Sequence, residues 1–201
     1  IKKKGVANLF YLDAAATSKY KKTDDIVVET ITSAMKDSWM NPSSLYATDI
    51  KDKINKCRKN IAGFICAKPE EIYFTSGSSE SNNWAIRGWV DANVNSNYLS
   101  IITTRIEHKS IIEAVKSISL NANVFYCDVD KFGQINYEVL EEILYYNEGR
   151  SILTSVHMAN NEIGTWQDIR KISELVHRYN GILHTDATQC LGRINIDVES
   201  L

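Results

Sequence analysis

Apolar positions along the chain follow two different periods. Between residues 24 and 39, Ile26, Val27, Thr30, Ile31 and Ala34 fall on an i, i+3, i+4 stripe, which predicts an amphipathic helix. Asp24 and Asp25 suit its first turn, where negative charge meets the positive end of the helix dipole. Asn41-Pro42-Ser43-Ser44 breaks the pattern, because proline and the residue before it resist helix. A second helical pattern runs over about residues 46–66, and Pro69 closes it. From there short β-rich runs alternate with helical ones. Strands are expected at 71–75, 98–104, 123–127, 151–157 and 182–186, and helices at 80–94, 108–118, 137–146 and 168–179.

Such alternation means βαβ units, hence a mainly parallel sheet with helices on both faces: a three-layer α/β fold. In an open parallel sheet, ligands sit outside the carboxyl ends of the strands. Residues 76–79, 105–108, 157–161 and 186–189 are polar segments that follow strand ends. Loops of this kind are polar in any case, so it is their convergence that points to a site.

Composition narrows the classes. The 23 Lys and Arg against 25 Asp and Glu give a net charge of -2, so nothing favours nucleic acid or an anionic membrane. The basic run Lys2-Lys3-Lys4 leads into no apolar stretch of signal-peptide type and reads as a solvated N-terminus. Cys57, Cys66, Cys127 and Cys190 are widely spaced without C-x-x-C, which indicates neither zinc nor a disulfide framework; reduced thiols in a cytoplasmic protein fit best. No apolar run approaches the roughly 20 residues needed to span a bilayer.

Four segments have chemistry worth naming. Thr75-Ser76-Gly77-Ser78-Ser79-Glu80-Ser81-Asn82 joins a strand to a helix, so free amides and hydroxyls gather at a helix N-terminus; this is a phosphate cradle or plain capping. Neither G-x-G-x-x-G nor a P-loop occurs, which disfavours a sugar- or nucleotide-binding doubly wound domain. His184-Thr185-Asp186-Ala187-Thr188-Gln189 delivers a carboxylate at a strand end, where Asp186 can pair with a protonated ring nitrogen, cap a helix or ligate magnesium. His108 can stack on a planar ligand or move protons, or is simply a polar loop residue. Asn160-Asn161-Glu162-Ile163-Gly164 offers amide donors suited to a phenolic oxygen, with Gly164 permitting a tight turn.

Six segments together, in chain order, resemble the cysteine desulfurases, pyridoxal-phosphate (PLP) enzymes of aminotransferase class V with the fold-type I large domain. They are Tyr11-Leu12-Asp13-Ala14-Ala15-Ala16-Thr17, Asn41-Pro42-Ser43-Ser44, Phe74 through Asn83, Glu107-His108-Lys109, His157 through Gly164, and His184 through Gln189. The resemblance implies that Ser78 and Ser79 bind the cofactor phosphate and that His108 stacks on the ring and assists proton transfer. It implies further that Asn161 and Gln189 hydrogen-bond the phenolic oxygen and that Asp186 pairs with the pyridine nitrogen. The implied reaction, a transferase reaction, takes sulfur from L-cysteine, leaving L-alanine and an enzyme persulfide. The persulfide feeds iron–sulfur cluster assembly or tRNA thiolation through an acceptor or scaffold protein, and the enzyme is a homodimer.

The chain departs from the family pattern in places. Tyr46 and Asp49 stand where many members have His and then Gly. The family's Ser-Gly-His-Lys segment, whose lysine forms the Schiff base, is not among these residues, and none of the four cysteines matches the family's nucleophile. The expectation is therefore a truncated large domain, residues 46–201, preceded by an N-terminal segment and helix over 1–45 and without the small C-terminal domain. Its five legible strands are fewer than the family sheet has. PLP is the implied cofactor, without covalent attachment, and turnover by this chain alone is not expected. The alternatives are another class V enzyme, such as a selenocysteine lyase or an aminotransferase, and a non-catalytic half-domain that serves as a binding module.

Overall fold

The computed structural model describes residues 15, 25–95 and 98–201. Asp24, the basic run and all of the Tyr11–Thr17 motif except Ala15 lie outside the described residues. The chain forms two compact units that divide between Cys57 and Arg58.

In the first unit, α1 (Asp25–Asp37) is the helix that the stripe predicts, but none of its residues is buried; Ile26 is 72% exposed. Its amphipathicity produced the helix without producing burial. After α1, the Asn41 side chain accepts the Ser43 N–H at 2.9 Å, a local turn of the kind that asparagine before proline favours. α2 (Thr48–Ile65) follows and continues past the unit boundary.

The second unit holds α3 (Ser78–Ala92), β1 (Leu99–Thr104), α4 (Lys109–Ser117), β2 (Asn123–Cys127), α5 (Tyr137–Tyr146), β3 (Ser151–Ser155), α6 (Ile169–Arg178) and β4 (Ile182–His184). The four strands form one sheet in the order β2-β1-β3-β4, and every neighbouring pair is parallel. Leu99 and Ile101 of β1 and Leu153 of β3 pack with Ile86 and Val90 of α3 and Ile111 and Val115 of α4. Their strand neighbours Ile102 and Ile152 belong to the opposite core, with Leu140 and Leu144 of α5 and Ile172 and Val176 of α6. Apolar residues on both faces of β1 and β3 are what a parallel sheet covered by two helix layers requires.

One expected element is different. Residues 71–75 are not a strand: Pro69–Glu71 is a 3-10 turn, and residues 72–75 join no ladder among the described residues. The composition Ile72-Tyr73-Phe74-Thr75 is β-prone, but a strand exists only where a neighbour accepts its hydrogen bonds. Glu71 is diverted into a local cap, its carboxylate accepting the Lys68 N–H at 2.8 Å.

Candidate functional site

Chain order reverses between β1 and β3, since β2 lies beyond one and β4 beyond the other. The carboxyl ends of these central strands therefore form the crevice where such sheets bind ligands. The loops that leave them are cross-linked. Glu107, after β1, accepts from the Thr104 hydroxyl at 2.6 Å and from the His157 N–H, after β3, at 2.9 Å. The His157 Nδ1 also lies 3.0 Å from Glu107 Oε1, a close contact without hydrogen-bond alignment, and its Nε2 is buried with no partner. Asn160 adds a second tie, donating from Nδ2 to the Ile106 carbonyl at 2.7 Å. The β4 end is held in turn: Val156 N–H donates to the His184 carbonyl at 3.1 Å and Met158 N–H to the Asp186 carbonyl at 2.9 Å.

Beside this floor lies a cavity of about 710 Å³, lined mostly by apolar groups, with the start of α3 on one side and residues 184–188 on the other. Ser78, Asn82, His184, Thr185 and Asp186 are among its lining residues. Asp186 is half-buried, and its carboxylate accepts from Asn82 Nδ2 at 2.9 Å and from the Thr188 N–H at 3.0 Å. Burial pushes its acidity toward the neutral form, but the hydrogen bonds from Thr188 and Asn82 outweigh it, with His184 nearby, and the group sits below the usual carboxylate range. A half-buried anion thus faces the cavity. His184 is lowered as well, which for an imidazole favours the neutral ring: burial depresses its value more than Asp186 and Glu107 raise it. Its Nδ1 meets the Ser155 hydroxyl at 2.9 Å. The Thr185 hydroxyl is buried in the same wall with no hydrogen-bond partner.

At α3 the N-cap is Gly77 at φ +156°, and the first-turn amides of Ser78, Ser79 and Glu80 have no intrahelical acceptors. Glu80 takes the capping role, accepting the Ser76 N–H at 2.6 Å and its hydroxyl at 2.7 Å, and the Ser76 hydroxyl in particular holds it below its ordinary value. Ser78 lines the cavity; Ser79 is exposed and does not.

His108 is the N-cap of α4, and its Nδ1 accepts the Ser110 N–H at 3.2 Å. It reaches Asp186 through Asn82, which the sequence singled out only as the end of the cradle segment, and Ser110, which it did not single out. The Ser110 hydroxyl lies 2.8 Å from His108 Nδ1 and receives Asn82 Nδ2 at 2.9 Å, the same nitrogen that donates to Asp186. Asn161 is exposed and outside the cavity lining. It is Asn160 whose side chain organises that turn, accepting the Glu162 and Ile163 amides. The Gln189 Oε1 is occupied by Arg193 Nη1 at 2.7 Å, four residues along. Ser78 and Asp186 line the cavity, and His108 is tied to Asp186 through hydrogen bonds without lining it; Ser79, Asn161 and Gln189 are likewise not part of the cavity wall. Among the described residues no three His, Cys, Asp or Glu side chains gather as metal ligands.

A central parallel sheet with a helix N-terminus and a carboxylate at its strand ends has the architecture of an open α/β sheet that takes ligands at its carboxyl edge. The aminotransferase class-V family matches residues 10–201, and the chain belongs to it. The cysteine desulfurase IscS of Methanosarcina thermophila is 38% identical over 95% of this chain and 46% of its own length. The mitochondrial cysteine desulfurase of Eremothecium gossypii is 37% identical over 95% of this chain and 38% of its own length. Among solved structures, a NifS-like protein superposes with a TM-score of 0.84 at 31% identity, covering 94% of this chain and 51% of that one. SspA in complex with cysteine gives 0.85 at 32% identity, covering 94% and 54%. The chain thus spans about half the length of the curated relatives it matches. Among the described residues no helix is long and apolar enough to cross a membrane.

Proposed function

We propose that this chain is part of the PLP-binding large domain of a cysteine desulfurase, and that the cavity beside Asp186 is where the cofactor sits. The observation that carries the reading is a half-buried carboxylate kept below its ordinary value by hydrogen bonds and aimed into a cavity that faces a helix N-terminus. The donor set suits the cofactor. A volume of about 710 Å³ lies within the roughly 300–1,000 Å³ of small-molecule sites. Ser78 and the first-turn amides of α3 suit a phosphate, and the unpartnered Thr185 hydroxyl leaves a polar atom for a ligand to satisfy.

In this reading Ser78 holds the phosphate and Asp186 pairs with the ring nitrogen; the roles of Ser79 at the phosphate, Asn161 and Gln189 at the phenolic oxygen and His108 beside the ring rest on the family resemblance, since none of these four lines the cavity. Bound PLP supplies an electron sink for carbanion chemistry on an amino acid substrate. The protein's own part is to orient and to hold charge. Asp186 keeps a proton on the nitrogen it faces, because its anion is stabilised before any ligand arrives. His108 has Nδ1 engaged with Ser110, so Nε2 is the atom left to carry a proton to or from substrate.

L-cysteine as substrate, alanine and a persulfide as products, a sulfur-acceptor protein, a homodimeric assembly and a cytoplasmic location belong to the same reading. The cysteine substrate is supported by the desulfurase relatives and by a neighbour whose structure holds cysteine, while the acceptor, the dimer and the location rest on the family resemblance alone. The 201 residues contain no Ser-Gly-His-Lys segment, so PLP is expected to bind them reversibly, without a covalent link or turnover. The phosphate end is tested by comparing PLP with pyridoxal in equilibrium titrations. PLP should bind at least tenfold tighter, and Ser78→Ala should narrow the gap; equal affinities would remove the α3 N-terminus from the site.

A further inference from the structure

We infer that Asn82 is a positioning residue of this site: a single buried amide joins Asp186 to Ser110, and through Ser110 to His108, setting two groups that come from separate strand-end loops. What those groups face rests on the PLP reading; the connection between them does not.

Asn82 is only 4% exposed and lies in α3, where asparagine is a poor helix former and where burial of an amide is costly unless it is satisfied. Both hydrogens of Nδ2 have acceptors, Asp186 Oδ2 at 2.9 Å and Ser110 Oγ at 2.9 Å. The chemistry fixes which way the amide faces, since an ionised carboxylate only accepts and would repel the amide oxygen. Ser110 Oγ must therefore be an acceptor toward Asn82, and its own hydrogen is left for His108 Nδ1 at 2.8 Å. The Ser110 N–H approaches the same nitrogen at 3.2 Å. With two donors directed at it, Nδ1 carries the lone pair and the ring proton sits on Nε2. Each bond in the series polarises the next, so the polarity starts at the carboxylate and ends at the imidazole. A buried asparagine that merely satisfied its own helix would bond a carbonyl one turn back; Asn82 instead bonds residues 28 and 104 positions away.

The test is NMR on the isotopically labelled full chain without added cofactor, reading the Asp186 side-chain carbon against pH and the His108 ring nitrogens. The wild-type chain should show His108 protonated on Nε2 with Nδ1 as a hydrogen-bonded acceptor. Asn82→Ala should move the Asp186 midpoint upward, by loss of a donor to its charged form, and should shift Nδ1 toward a less hydrogen-bonded acceptor. Ser110→Ala should shift the His108 signal alone. Asn82→Thr keeps one donor and should fall between wild type and Asn82→Ala, which also covers the case where the alanine variant does not fold. A folded Asn82→Ala or Asn82→Thr chain with both signals in their wild-type places overturns the inference. PLP titration of the same samples separates the two readings. Spectral shifts in a chain that never binds PLP uphold Asn82 and sink the cofactor assignment. Wild-type PLP affinity in a variant with unshifted spectra does the reverse, whereas a loss of about tenfold or more upholds both.

Discussion

Glu107→Ala is expected to be among the most damaging single changes in the second unit. The Glu107 side chain is fully buried, and it accepts from the Thr104 hydroxyl at 2.6 Å and the His157 N–H at 2.9 Å, with His157 Nδ1 at 3.0 Å. Alanine leaves a buried backbone N–H and a buried hydroxyl without an acceptor and opens a void between the loops after β1 and β3. Unpaired buried polar groups cost about 1–3 kcal/mol each, so the two groups left without an acceptor, with the void, should cost about 3–5 kcal/mol in all. At about 2–4 °C per kcal/mol for a chain of this size, Tm should fall by roughly 6–20 °C. Glu107→Gln is the informative control. Its carbonyl can still accept the His157 N–H, while its NH2 turns to the Thr104 hydroxyl, so the loss should be near 1 kcal/mol. Thermal melts followed by circular dichroism would measure both. An alanine variant that melts within about 2 °C of wild type, or a glutamine variant as damaged as the alanine, would refute this account of how the strand-end loops are tied.

Two further outcomes follow from the shifted groups. Burial depresses His184, so the fold favours its neutral ring; its contribution to stability is present above the unfolded value of 6.5 and is lost as pH falls through the lower folded value. The urea midpoint should therefore drop as pH is lowered from about 6.5, and His184→Gln should flatten that limb; an unchanged slope would contradict the burial argument. Cys127 is buried, and burial pushes its thiol up to about 12, with Asp128 adding to the effect, whereas Cys57 and Cys66 are exposed. Brief alkylation near pH 8 with peptide mapping should label Cys57 and Cys66 and spare Cys127 until urea is added, because the thiolate is the reactive form. Labelling of Cys127 in the native chain at a comparable rate would refute its assignment as an inert core thiol.

The parts of the fold that the sequence made legible are those governed by periodicity. The strands at β1, β2 and β3 and the helices α3 to α6 fall within a few residues of where the apolar spacing puts them, because each buries a stripe against the sheet. Residues 72–75 show the limit: Ile72, Tyr73 and Phe74 have strand composition, but pairing depends on a neighbour that local sequence does not specify. α1 shows another, since its stripe predicts a helix correctly and says nothing of what covers it. At the site, Asp186 and His108 stood out because they follow strand ends, and Ser78 because it opens a helix after a run of strand composition. Asn82, Ser110 and the Glu107–His157 contact gave no comparable signal: they work by long-range hydrogen bonds, which leave no period in the chain. A polar residue on the buried face of a predicted helix, as Asn82 is on α3 with Ile86 and Val90, was the one available hint.

The most direct test of the cofactor assignment is an absorbance titration of the purified chain with PLP, followed by borohydride reduction and intact mass. The account predicts saturable binding, no borohydride-fixed adduct, and an affinity at least tenfold weaker in Asp186→Ala, the loss expected when a hydrogen bond to a charged partner worth about 1.5–3 kcal/mol is removed. A fixed adduct would show that another lysine in the chain takes up the cofactor. A folded chain that binds no PLP, or binds it equally well without the Asp186 carboxylate, would contradict the assignment of the cavity.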